Sequence, residues 1–126
     1  KYGYHGSQLS KSVLLLATDK LVKEEGARVY YFPAYEIVND ELRDYRFYKA
    51  DMLHPNEQAV DYIWEQLVET CFSVEARQFL KDWQPIKAAL AHRPFNPEGV
   101  AYQDFVWKTK ESAELLKQKY PNMELD

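Results

Sequence analysis

A chain of 126 residues, 46% apolar and 15% aromatic with ten Tyr and three Trp, can bury one modest core and is too apolar for a disordered tail. Its net charge of −4 is mild and its basic residues are scattered, which argues against a nucleic-acid surface; no apolar run reaches the roughly 20 residues of a membrane span. The single Cys71 excludes an internal disulfide and a Cys-rich metal site.

The chain opens on Lys1 rather than Met, so it reads as one domain or a piece of one, with cytoplasmic and exported locations both open. Residues 1–8, KYGYHGSQ, form a polar and aromatic lead-in. From Leu9 the apolar positions Leu9, Val13, Leu16, Ala17 and Leu21 recur at helical spacing, with Ser7 or Ser10 as caps and Gly26 as the stop. ARVYYFPAY follows, β-branched and aromatic, and predicts a strand over about 28–33 that Pro33 ends. Its near-continuous apolar character is that of a buried parallel strand, so helix plus strand reads as half of an α/β unit. Such a strand needs neighbours, expected upstream of Lys1. Otherwise its unpaired edge is a route to self-association.

Between Tyr35 and Pro55 periodicity disappears, which points to a packed functional loop. After Asn56 a strong helix is predicted, with Ala59, Val60, Ile63, Trp64, Leu67, Val68, Cys71 and Phe72 on one apolar stripe. Ser73 caps a further helix through Phe79, Leu80 and Trp83, which Pro85 should kink or break before IKAALAH. In the connector HRPFNPEG, Asn96 reads as a cap and Pro97 as a first helical residue. A last helix runs through Tyr102, Phe105, Val106, Leu115 and Leu116 toward Pro121. The architecture expected is helix, strand, ordered loop and three further helices.

The stretch KADMLHPNEQ holds the one constellation with chemistry in it. Asp51 and His54 lie three residues apart in one turn, Pro55 stiffens the step after the histidine, and the helix beyond Asn56 anchors the turn on packed structure. A neutral imidazole takes a proton from a nucleophile, and a carboxylate on its other nitrogen fixes the tautomer and stabilises the imidazolium. The same residues also fit a solvated turn in which Asp51 caps and His54 meets water.

Among the preceding residues, Glu36, Asp40, Glu41, Arg43, Asp44 and Arg46 either contact a polar substrate or pair among themselves. Tyr45, Phe47 and Tyr48 either stack on a sugar ring or pack the loop onto the core. Arg43, Arg46 and Tyr48 are the substrate-binding candidates. His5 and His92 stand alone, so no metal or cofactor is expected. Cys71, Trp64, Trp83 and Trp107 read as packing residues.

Residues 30–66, YYFPAYEIVNDELRDYRFYKADMLHPNEQAVDYIWEQ, closely resemble the GSCFA family, and LSKSVLLLATDKL, residues 9–21, looks like the helix preceding that block. By resemblance this family sits with SGNH-type (GDSL-like) serine hydrolases. That implies a flavodoxin-like three-layer α/β fold whose C-terminal Asp-x-x-His-Pro turn carries acid and base. Carried over, His54 is the general base and Asp51 its orienting acid. The family's nucleophilic serine lies in a Gly-Ser-Cys-Phe-Ala motif that this sequence lacks. Ser7, Ser10, Ser12, Ser73 and Ser112 are in no comparable context, so the chain alone is expected to be inactive. The resemblance also places oxyanion-hole donors at Gly6 and Ser7, with Ser7 where an Asn is expected. It covers residues 1–72 and leaves 73–126 as a helical extension. The activity implied is hydrolysis of an acyl or acetyl ester, on a carbohydrate or similar scaffold. The rival reading is a non-catalytic helical domain that binds a partner protein.

Overall fold

The computed structural model describes residues 3–94 and 97–124. Helix α1 (Gly3–Glu25) opens the chain; a short α2 (Ala34–Glu36) continues into a π-helical turn at Ile37–Glu41. Three longer helices follow: α3 (Glu57–Cys71), α4 (Val74–Ala91) and α5 (Val100–Lys119). There are two compact units, Lys1–Trp64 and Glu65–Asp126.

No strand or sheet exists among the described residues, which overturns the α/β, flavodoxin-like expectation and its buried strand at about 28–33. The fold is helical. Gly26–Arg28 forms a 3-10 turn, and Val29 is extended but has no ladder to join. Ala34 N–H then bonds back to the Phe32 carbonyl at 2.8 Å, and the chain turns into α2. Pro33 has no N–H to offer, and Tyr30, expected inside, is 69% exposed. β-Branched and aromatic composition describes a side-chain surface; a strand exists only where a second backbone accepts its hydrogen bonds. With no strand there is no strand edge, and the expected route to self-association loses its basis.

Helix α1 begins at Gly3, well before the periodic run, so Ser7 and Ser10 lie inside it and cap nothing. Gly26 stops it as expected: at φ +55° it occupies the left-handed region that costs glycine little. The face read as core points to solvent. Leu9, Val13, Leu14 and Leu16 are all exposed, and α1 buries no residue.

In the first unit the core is Ile37, Leu42 and Ala59, with Phe32, Phe47, Tyr62 and Ile63 packed on it. The predicted single stripe of α3 is therefore two. Ala59, Tyr62 and Ile63 pack inward, while Val60 and Cys71 are exposed and Trp64 is about half exposed. Cys71 is thus not a core residue.

In the second unit Ser73 caps α4 as expected, its Oγ accepting from Ala76 N–H at 3.2 Å. Helix α4 runs through Pro85 without ending, so the proline does not break it. Proline forfeits one intrahelical bond, but its fixed φ is helical, and Ile86 beside it is buried with Ala113 and Leu116 of α5. Phe79, Trp83, Tyr120 and Met123 complete this cluster, whereas Trp107 is exposed. Asp82 ties the helices: its Oδ2 accepts from Lys119 Nζ at 2.6 Å and Tyr120 Oη at 3.0 Å. Helix α5 starts at Val100 with Gly99 as its cap, so Pro97 lies in a turn rather than at a first helical position. The cap expected at Asn96 lies outside the described residues.

Candidate functional site

The turn carrying Asp51 and His54 is closed at its base by an isolated antiparallel bridge between Tyr48 and Pro55. Lys49 N–H donates to the His54 carbonyl at 2.8 Å, and Asn56 N–H to the Phe47 carbonyl at 2.9 Å. Inside the loop Met52 N–H reaches the Lys49 carbonyl at 2.9 Å, which puts Met52 at φ +58°. That is a strained position for a side chain larger than glycine's.

Asp51 organises the rest. Its Oδ1 accepts from the Leu53 amide at 2.9 Å and the His54 amide at 3.0 Å, an Asx-type arrangement that suits a short carboxylate or amide side chain. Its Oδ2 lies 2.7 Å from His54 Nδ1. One carboxylate thus holds both the backbone and the ring of the same histidine. The His54 amide, the Leu53 amide and the imidazole, in that order, hold the Asp51 carboxyl well below the usual carboxylate range. An ionised carboxylate only accepts, so Nδ1 of the neutral ring carries the proton and donates it. Nε2 then presents its lone pair outward, and among the described residues it has no hydrogen-bond partner. The His54 side chain is 73% exposed. The ring is held on one nitrogen and open on the other, as a proton acceptor requires.

Asn56 couples this turn to α3. Its Nδ2 donates to the Arg46 carbonyl at 2.5 Å while its Oδ1 accepts from Ala59 N–H at 3.1 Å, capping the helix. In the sequence Asn56 marks only the point where the helix begins. An Asn directly before an apolar periodic run is also a cap signal, and it is the one that points to this joint.

The other predicted residues fall into two groups. Tyr48 and Arg46 belong to the frame of the turn: Tyr48 bridges to Pro55, and Arg46 gives Asn56 its carbonyl while its guanidinium lies 4.8 Å from the Phe47 ring. Arg43 is exposed and in no salt bridge among the described residues. Gly6 and Ser7 sit in the opening turns of α1, half-buried, with no hydrogen bond joining them to Asp51 or His54. Nor does any serine hydroxyl among the described residues bond to His54. Ser12 and Ser112 bond back to the carbonyls of Gln8 and Lys108, and Ser73 is spent on its cap. Of the loop's acids, Asp44 pairs with Arg46 as expected, at 4.0 Å, whereas tyrosines hold two others: Glu36 by Tyr31 at 2.9 Å and Glu41 by Tyr62 at 2.7 Å. No group of three or more potential ligands able to hold a metal occurs among the described residues. No helix among them is long and apolar enough to cross a membrane.

Compared with known proteins, residues 1–67 match the GSCFA family, and residues 83–126 match the C-terminal domain of GSCFA domain proteins. The second match gives an affiliation to most of the helical extension at 73–126. No curated protein and no solved structure matches the chain. With more than half of its length matched by the first model, including the whole Asp51–His54 turn, the chain belongs to the GSCFA family.

Proposed function

We propose that this chain supplies the acid–base half of an ester-hydrolysing site of the SGNH serine-hydrolase type. His54 Nε2 takes the proton of an attacking hydroxyl and later returns it to the leaving alcohol. Asp51 keeps the proton on Nδ1 and stabilises the imidazolium formed in between. The observation that carries this reading is the 2.7 Å contact between Asp51 Oδ2 and His54 Nδ1 beside an exposed ring. A solvated turn needs the Oδ1 contacts to the backbone; it does not need the second oxygen on the ring.

The hydroxyl comes from outside the described residues, and the acyl-enzyme it forms is cleared by water. Gly6 and Ser7 remain the proposed oxyanion donors, and Arg43, Arg46 and Tyr48 the proposed contacts to a polar, carbohydrate-like ester. The test is hydrolysis of acetyl and longer acyl esters by the intact parent protein. His54→Ala and Asp51→Asn should each lower kcat by about a thousandfold or more, and the 126-residue chain alone should be inactive. Full activity in a folded His54→Ala parent would sink the assignment.

A second reading, a helical domain that binds a partner protein, is favoured by the outward-facing leucines of α1. It predicts that alanine at Leu9, Val13 and Leu16 weakens association while leaving any esterase activity unchanged.

A further inference from the structure

Helices α4 and α5 leave between them an open groove of about 650 Å³. Its floor is apolar, with Ile86 and Ala89 from α4 and Phe105, Leu115 and Leu116 from α5, and Leu115 is 60% exposed. Its rim is basic: Lys81, Lys108 and Lys119 line it against a single acid, Asp82. Lys119 and Asp82 are joined at 2.6 Å and Lys108 is held by Asp104 at 2.7 Å, but Lys81 has no salt-bridge partner among the described residues. At 1.5 Å per helical residue the lining spans about 12 Å of α4 and about 21 Å of α5, about two turns along one wall and about four along the other.

One element of this chain has the matching chemistry. Helix α3 is 15 residues long and carries Glu57, Asp61, Glu65 and Glu69 with no lysine or arginine. One face is spent on the first unit's core through Ala59, Tyr62 and Ile63. Around the helix from that face, Val60, Leu67 and Cys71 fall on a second apolar line at i, i+7 and i+11, with Val60 54% exposed, Leu67 half-buried and Cys71 exposed. Glu57 and Asp61 border this line by helical geometry. An apolar line edged with acid fits an apolar floor edged with lysine, the helix-in-groove mode of recognition.

We propose that the α4–α5 groove receives helix α3 of a second copy of this chain. The arrangement proposed is the reciprocal one, in which each copy's helix enters the other's groove about a two-fold axis.

Sedimentation velocity of the whole chain from about 1 to 100 µM tests this. A monomer–dimer equilibrium is expected, weaker in high salt as the lysine–carboxylate attraction is screened. Val60→Asp on the helix and Leu115→Asp in the groove should each weaken it at least tenfold. Both positions are exposed, so circular dichroism of either variant should match the parent. Mixing the two variants should restore partial association, because an intact helix of one then meets an intact groove of the other. Lys81→Glu should weaken association as well. A monomer across the whole range overturns the proposal. So does a dimer indifferent to both aspartate variants, a mixture that shows no recovery, or a monomer whose groove instead takes up laurate.

Discussion

Two backbone amides and one imidazole converge on the Asp51 carboxylate, so protonating it weakens three hydrogen bonds at once. Its folded pKa lies below the unfolded value of about 3.9. The stability it contributes is therefore complete above that value and lost as pH falls through the lower, folded one. The turn should hold unchanged from neutral pH down to about 4 and open only in stronger acid. The Asp51 carboxyl carbon followed by NMR should titrate well below the usual range. Asp51→Asn retains an oxygen for the two amides but places an N–H donor or a poorer acceptor against Nδ1, so the ring should shift toward its other tautomer, visible in the imidazole nitrogen shifts. At Met52 the left-handed backbone costs a side chain about 1 kcal/mol, which glycine avoids while losing a similar amount to chain entropy. Met52→Gly should be neutral to about 1 kcal/mol stabilising in denaturant titrations, and Met52→Val clearly destabilising.

The joint at Asn56 is where turn and helix depend on each other. Asn56→Ala removes the cap of α3 and the tie to Arg46 together and should cost about 1–2 kcal/mol, read from chemical denaturation. In α4, replacing Pro85 by Ala restores a backbone donor to the Lys81 carbonyl and should raise the melting temperature of the second unit. Element by element, the sequence made plain what is decided locally. Ser73 announces a cap by its own side chain, Gly26 stops a helix by its own φ, and Asp51 and His54 meet because they stand three positions apart in one turn. What it hid is decided at a distance. The stretch at about 28–33 has the composition of a strand, yet whether it becomes one depends on a neighbouring backbone that composition cannot name. The stripe of α3 shows apolar periodicity but not that its two edges go to different surroundings. Pro85 looks like a break until Ile86 is seen buried beside it.

Among the described residues the buried apolar side chains form two small clusters, Ile37, Leu42 and Ala59 in one unit and Ile86, Ala113 and Leu116 in the other. Neither is a core on the scale that gives a 126-residue protein one sharp transition. Calorimetry should show two overlapping transitions, with a heat-capacity change below the roughly 1.5–1.9 kcal/mol/K that 12–15 cal/mol/K per residue implies for a fully cored chain of this length. Asp82 should make the second transition acid-sensitive. Lys119, Gln78 and Tyr120 hold its carboxyl below the ordinary range, so its contribution persists at neutral pH and declines only as the buffer becomes more acid than an ordinary carboxylate. The first helix adds a practical corollary. Leu9, Val13, Leu14 and Leu16 display their hydrocarbon to bulk water within about two turns. Ammonium sulfate, which raises the cost of wetting such a strip, should make the chain adhere to a phenyl resin and salt out early, and replacing those four side chains by glutamine should abolish both behaviours.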